Sequence, residues 1–333
     1  MPIIDDSILL NSKSRYLDKI ELISSFKKRN ITHAFHDIDG THSLIRDWVP
    51  PMTLLLGWVT QNGLPLNIDS QIALEEILDC NWKHFPEAHK FSIESAGLSA
   101  LTQMEWAIRK AASKSLIDLV HFDHDTNNCI IKLIESGEEI FDYISESPQT
   151  KEFINLNSSN LFLLYEKILK IMSRDKNLIS AQENPSKWRV RGSIDFLRFL
   201  TELDIKNYFV TGAVVEYDKN NVPFGSMYEE IIALEYPIGQ GEIIENLYGS
   251  SWNQRLPKNI IMNQICKKEN INPENVLIVG DGRSEIDAGV KMGAVTISRL
   301  PTESLIHREL HKKLGTNLII SEYSSTLCKL FNK

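Results

Sequence analysis

Cysteine is scarce and scattered in this 333-residue chain: Cys80, Cys129, Cys266 and Cys328 stand far apart, with no Cys-x-x-Cys pair. This spacing excludes a dense disulfide framework, offers nothing for structural zinc, and fits reduced thiols in a cytosolic protein. Positive charge is also in short supply. With 36 Lys and Arg against 44 Asp and Glu, a net charge of −8 and a pI near 5.7, a general affinity for nucleic acid or an anionic membrane is excluded. An anionic substrate would need a metal or local lysines. Long apolar runs are missing too: Met52 to Val59 is among the greasiest stretches and is much too short to span a bilayer. The opening Met-Pro-Ile-Ile-Asp-Asp lacks the basic-then-apolar order of a secretory leader, so a cytoplasmic location is expected. There is no internal repeat, low-complexity tract, heptad run or Gly-x-x-x-x-Gly-Lys-Ser/Thr phosphate loop.

What is present is globular: 42% hydrophobic and 24% charged residues, enough for one large or two ordinary domains. The chemistry concentrates at His36-Asp37-Ile38-Asp39-Gly40-Thr41, directly after the apolar-leaning run Ile31 to Phe35. A β-branched and aromatic run that stops at two carboxylates reads as a buried strand delivering acids to a loop. Although strand side chains alternate faces, a turn at Gly40 lets Asp37 and Asp39 border one cavity. In different environments the two would take different roles, one an ionised nucleophile and the other an acid protonated part of the time.

Along the chain, residues 15 to 29 place apolar residues at helical spacing and end in a basic turn, which predicts a helix leaning on the core. From about Trp48 to Lys187 the pattern is helical, with repeats near 3.6 over Ser70 to Leu78, Leu98 to Leu119, Cys129 to Ile144 and Leu161 to Met172. Turn-forming stretches at residues 63–65, 85–86, 121–128, 145–149 and 181–186 punctuate it. An amphipathic helix over 192–204 and a strand over Lys206 to Thr211 follow. Helices over 226–234, 260–270 and 285–292 then alternate with strands over Val276 to Val279 and Ala294 to Ile297. Such alternation predicts a parallel sheet with its site at the strands' carboxyl ends. His121-Phe-Asp-His-Asp125 reads as a solvated turn, and His307-Arg-Glu-Leu-His311 as a plain surface helix, since neither has the His-Glu-x-x-His order.

Three stretches in order, Asp37-Ile38-Asp39-Gly40-Thr41, Phe209-Val210-Thr211-Gly212 and Val276-Leu277-Ile278-Val279-Gly280-Asp281-Gly282, resemble motifs I, II and IV of the haloacid dehalogenase-like superfamily. The resemblance covers roughly residues 30 to 45 and 188 to 300. It implies an α/β fold, a Rossmann-like parallel-sheet core with an inserted all-α cap domain of the C1 type. The expected parts are a core segment 1–47, the helical cap 48–187 and a core segment 188–333. Within the cap, Gly97 to Trp106 is similar to a segment of a bacterial sugar-metabolism branch, and Leu98, Leu101, Met104 and Trp106 fit helix packing.

The resemblance also implies a site. Asp37 would be the nucleophile that forms an aspartyl phosphate, and Asp39 the acid that protonates the leaving oxygen and then activates water. Mg2+ would be held by Asp37, the main-chain carbonyl of Asp39 and Asp281, with Glu285 as the further acid of the fourth motif. Aspartate is more familiar at that position, and Asp287 stands two residues on as an alternative. Thr211 and the backbone at Gly212 would face a phosphate oxygen. For the lysine of the third motif, Lys258 opens a helix after Leu256-Pro257, with Arg255, Lys267 and Lys268 as rivals. Arg46 would reach a substrate anion or pair with Asp47. Asp39 favours a phosphate ester over a halide or phosphonate. The implied activity is a Mg2+-dependent phosphatase acting on a small phosphorylated metabolite, hypothetically a sugar phosphate, with neither nucleic acid nor membrane as partner. A phosphotransferase or mutase on the same core is the alternative, and a non-catalytic binding protein a more distant one. An insertion of this size suits a lid that closes over the metal and excludes large partners.

Overall fold

The structure, a computed structural model, describes residues 2–10, 16–68, 70–118, 122–138, 143–250 and 256–332. Its described residues form two compact units, one made of Met1–Ile45, Asn177–Ser251 and Lys258–Lys333, the other built on Arg46–Lys176. In the first, an eight-stranded sheet takes its strands in chain order from β1 (Tyr16–Leu17), β2 (Ile20–Leu22), β3 (His33–His36), β4 (Lys206–Val214), β5 (Asn246–Ser250), β6 (Val276–Gly280), β7 (Val295–Arg299) and β8 (Leu318–Ile320). Their spatial order is β1-β2-β8-β7-β6-β3-β4-β5. The six strands from β3 to β8 are mutually parallel, and the β1–β2 hairpin adds antiparallel to β8.

Parallel strands are covered on both faces, and β6 is accordingly apolar and buried throughout. Leu277 and Val279 join one hydrophobic cluster with Val295, Ile297, Leu318 and Ile320. On the other face, the helix Arg283–Met292 presents Gly289, where an added Cβ would lie 2.9 Å from Ile278 and 2.6 Å from Thr296. A second cluster gathers Ile38, Leu197, Phe209, Met227, Tyr236 and Leu247. From β3 the chain proceeds outward to β4 and β5 on one side and, later, through β6, β7 and β8 on the other. The carboxyl ends of β3 and β6 therefore meet at the switch point where such sheets bind ligands.

The helix expected over residues 15 to 29 does not form. Asp18 and Lys19 both take left-handed backbone angles, φ 45° and 66°, which closes β1 and β2 into a tight hairpin. Ile20 and Leu22 are then buried on one side while Glu21 meets Arg308 at 2.8 Å and Lys312 at 3.2 Å. Pairing with β8 thus decided a run whose apolar spacing suited either structure.

Every regular element in residues 46–176 is helical among the described residues. Ser70, Ser99 and Ser147 cap the helices Gln71–Leu78, Ala100–Ser113 and Pro148–Leu169. The helix expected to run to Ile144 ends at Ser136, because Gly137 turns left-handed at φ 100° and closes it. His121 lies outside the described residues, while Asp123 caps that same helix by accepting from Thr126 N–H. Leu98, Leu101, Met104 and Trp106 are all buried, as helix packing requires. The chain contacts divide the units after Lys176, not after Lys187, since Ala181 and Leu178 pack into the Phe209 cluster. No helix of the described residues is long and apolar enough to cross a membrane.

His311 departs from the surface position expected of it. It is buried, with Nδ1 2.8 Å from Ser298 Oγ, and burial pushes its imidazole down to about 4. The unfolded chain, with an ordinary value of 6.5, binds more protons than the folded one between those limits. The contribution is present above pH 6.5 and lost as the pH falls toward 4. Between about pH 7 and pH 5 the wild type should lose about 2 kcal/mol more than His311→Gln in urea denaturation. Parallel losses would show that His311 is not the group titrating.

Candidate active site

Asp37 leaves β3 with its N–H bonded to the Val279 carbonyl at 2.9 Å, which places it beside the end of β6. Asp281 follows β6 immediately, and so register alone brings the two carboxylates together. Glu285 adds a third from the first turn of the helix Arg283–Met292. Oxygens of Asp37, Asp281 and Glu285 lie within 4.8 Å of one another.

Lys258 opens the helix Lys258–Lys268 and is buried, its Nζ 2.6 Å from Asp37 Oδ1 and 3.1 Å from Glu285 Oε2. Of its rivals, Lys267 and Lys268 are exposed at the far end of that helix, and Arg255 lies outside the described residues. The other Glu285 oxygen accepts from the Gly282 N–H at 2.5 Å, so one side chain ties the lysine to the loop after β6. Gly280 has no Cβ for a reason: one would fall 2.3 Å from Glu285 Cγ. Asp287 is directed elsewhere, held by Lys291 at 2.6 Å on the open side of its helix. Between the two acids left open by the sequence, Glu285 is the one that joins the cluster.

Three carboxylates against one ammonium leave two negative charges in a buried space. Burial raises Asp281 well above the ordinary carboxylate range, and the charges of Asp37 and Glu285 add to the rise. Asp37 is raised by burial as well, with Lys258 opposing. Glu285 moves the other way: burial works against its charge, but Lys258 and the backbone N–H groups outweigh it. For Lys258, burial is overcome by Asp37 and Glu285, which hold its ammonium above the ordinary lysine range. A divalent cation would balance the two negative charges left over, and three carboxylate oxygens are the hard donors such an ion prefers.

The loop that carries the acids is a tight turn. The N–H groups of Thr41, His42 and Ser43 converge on the Ile38 carbonyl, and Thr41 Oγ1 donates to Asp281 Oδ1 at 3.2 Å. Gly40 sits at φ 74°, where a Cβ would fall 2.1 Å from Asp281 Oδ2. Gly40→Ala should therefore keep the fold, lose about 1–3 kcal/mol to backbone strain, and push Asp281 out of the cluster. Mg2+ titration calorimetry on the variant should show weakened binding; unchanged binding would mean that Asp281 has room to yield.

Other expected residues are placed differently. The side chain of Asp39 is not in the three-acid group, and it is half-buried on the turn. Thr211 does not end its strand, because β4 runs on to Val214. Instead the pairing with β5 is interrupted between Val210 and Val214, and Thr211 Oγ1 accepts from the Ala213 N–H at 3.1 Å. Gly212 lies within that irregular stretch, partly exposed. Arg46 is no surface ion pair with Asp47, nor a free cation for a substrate: it is buried in the helical unit and meets Glu166 at 3.3 Å. A long helix passing Arg46 supplied a carboxylate 120 positions away, which spacing along the chain could not reveal.

Five residues around the acidic loop escaped the sequence reading: His36, His42, Asn207, Arg299 and Tyr323. Arg299 Nη1 donates to the Gly40 carbonyl at 2.7 Å and Tyr323 Oη to the Thr41 carbonyl at 3.1 Å. The signal available was His36 and His42 themselves, two histidines that frame the acidic motif.

No protein-family profile matches the chain, and no curated protein matches it. Among solved structures it aligns with a phosphonoacetaldehyde hydrolase-like protein from Oleispira antarctica at 12% identity, over 91% of this chain and 93% of that one, with a TM-score of 0.47. It also aligns with a β-phosphoglucomutase from Clostridium difficile at 13% identity, over 88% and 91%, TM-score 0.42. A third is a HAD hydrolase, family IA, variant 3, from Entamoeba histolytica, at 13% identity over 90% and 99%, TM-score 0.43. Likenesses this distant transfer no function, and what the α/β core can do rests on its own acids, lysine and backbone donors.

Proposed function

We propose that the chain is a phosphatase of the haloacid dehalogenase-like type, hydrolysing a small phosphorylated metabolite through an aspartyl phosphate on Asp37. The observation that carries this reading is the arrangement at the ends of β3 and β6, where Asp37, Asp281 and Glu285 are gathered about Lys258. The acids fit Mg2+ by charge and by donor type, with Asp37 and Asp281 as its ligands and Glu285 in support. When bound, the ion would neutralise phosphate oxygens as an anionic substrate approaches an anionic site.

The chain's own groups would act in sequence. Asp37 attacks phosphorus as the bond to the ester oxygen breaks, and Asp39 gives its proton to the departing oxygen. Asp39, now ionised, takes a proton from water, which attacks phosphorus and returns Asp37 as a free carboxylate. Lys258 keeps Asp37 ionised and oriented, and Thr211 with the backbone at Gly212 would donate to a phosphate oxygen. A sugar phosphate is the first substrate class to test.

In the direct experiment, the purified chain is assayed with a generic aryl phosphate before and after exhaustive chelation, then with Mg2+ restored. Activity should vanish with chelator and return with the ion. Full activity without any divalent cation would sink the reading.

A further inference from the structure

Behind the acidic loop, two imidazoles lie wholly buried against each other. His42 Nε2 is 3.1 Å from His36 Nδ1, His36 Nε2 is 3.1 Å from Asn207 Oδ1, and His42 Nδ1 is 3.1 Å from Ser193 Oγ, which in turn contacts the Tyr236 hydroxyl. The direction of each proton from Asn207 to Ser193 follows from the far end. Asn207 Nδ2 faces three acceptors, the carbonyls of Leu197 and Ile243 and the hydroxyl of Thr201, so its amide cannot be flipped and Oδ1 must face His36. His36 therefore carries its proton on Nε2 and offers a bare Nδ1. His42 must donate to it from Nε2, which leaves His42 Nδ1 as the acceptor for Ser193; the single Tyr236 hydroxyl proton faces both Ser193 Oγ and the His42 carbonyl, the latter at 3.1 Å. One amide thus sets the tautomers of two histidines and the orientation of the Ser193 hydroxyl.

We propose that Asn207, His36, His42 and Ser193 form a one-way hydrogen-bond chain that positions the acidic loop, with His42 as its central positioning residue. The chain joins β4, β3, the loop and the helix Ser193–Glu202, and so connects both sheet strands at the site to the turn they support. His42 is further clamped by ring stacking on Tyr323, with centroids 5.1 Å apart and planes within 15°. Tyr323 and Arg299 meanwhile hold the Thr41 and Gly40 carbonyls. The assignment requires both rings to be neutral, as two wholly buried imidazoles bonded only to each other, an amide and hydroxyls are bound to be. A turn with Asp37 at one end and His42 at the other cannot shift without breaking the series. The effect on turnover rests on the phosphatase reading above, whereas the proton order does not.

Two measurements separate them. Long-range 1H–15N correlation spectra of the intact wild-type chain should show His36 and His42 both protonated at Nε2 and bare at Nδ1. A proton on Nδ1 of either ring would overturn the chain, whatever the enzyme's activity. The second uses His42→Phe, which keeps the stack on Tyr323 and deletes both ring nitrogens. On an aryl phosphate its kcat should fall about 10–100-fold, as expected for a misplacement near 1 Å, with KM within about twofold and Mg2+ binding weakened. If His42→Phe does not fold, Tyr236→Phe, which removes the hydroxyl that meets Ser193 and the His42 carbonyl, should give a smaller fall of the same kind. A folded variant with wild-type kcat and Mg2+ affinity would reduce the chain to core packing. No turnover by the wild type, with the expected spectra, would strike the phosphatase reading and leave the proton order standing.

Discussion

Asp37→Asn is expected to abolish turnover, by more than about a thousandfold, in a protein that is no less stable than the wild type. The amide retains an oxygen for Lys258, which now donates to Asp37 Oδ1 at 2.6 Å, but it can neither attack phosphorus nor leave as a carboxylate. Stability should move the other way. Because burial holds the Asp37 carboxyl above its ordinary value, the folded chain keeps this proton to a higher pH than the unfolded one does. A group raised in the folded state costs stability as the pH climbs through its folded value, and the neutral amide avoids that cost. Without divalent cation, the melting temperature of Asp37→Asn at pH 7 should therefore match or exceed that of the wild type. Retention of more than a tenth of the wild-type rate would remove Asp37 from its role. A large fall in melting temperature would instead show that the ionised pair with Lys258 holds the loop together.

Lys258→Met carries the second large effect, this time on stability. Removing the ammonium strands Asp37 and Glu285, which it meets at 2.6 and 3.1 Å, beside Asp281 in a buried space. Breaking a buried ion pair from one side typically costs about 3–5 kcal/mol, because the remaining charge has lost both water and partner. Proton uptake by the acids will offset part of this as the pH falls. Mg2+ should restore part of it at pH 7, since a cation bound to the folded cluster stabilises by mass action. Urea denaturation with and without Mg2+ measures both terms, and a loss below about 0.5 kcal/mol in the metal-free protein would contradict the pairing seen at the site.

Much of this was already contained in the linear order of residues. Apolar runs ending in Asp37 and in Gly280-Asp281-Gly282 announced strands that end in acids, and a parallel sheet requires such ends to face the same way. The helical character of residues 48–187 was equally legible, because an amphipathic period persists over many turns. Local signals failed where two structures shared one pattern: the hairpin at Asp18-Lys19 was hidden in a helix-like spacing until β8 offered its edge. They failed again at one charge that needed its partner. Arg46 could not announce Glu166 across a separation of 120 positions, whereas Lys258 was named from the sequence and does meet Asp37, 221 positions away.

The choice between Glu285 and Asp287 shows the same division at closer range. Both acids belong to one helix two residues apart, so helical geometry alone sends them to different sides. Which side faces Lys258 was decided by the packing of Gly289 against Ile278 and Thr296. Residue types and periodicity by themselves determined that carboxylates would stand at the strand ends of an α/β core. Tertiary structure decided which cation balances them, which acid stays outside, and that Asn207 orders two buried histidines behind the loop, because burial and hydrogen-bond partners come from segments that meet only once the chain is folded.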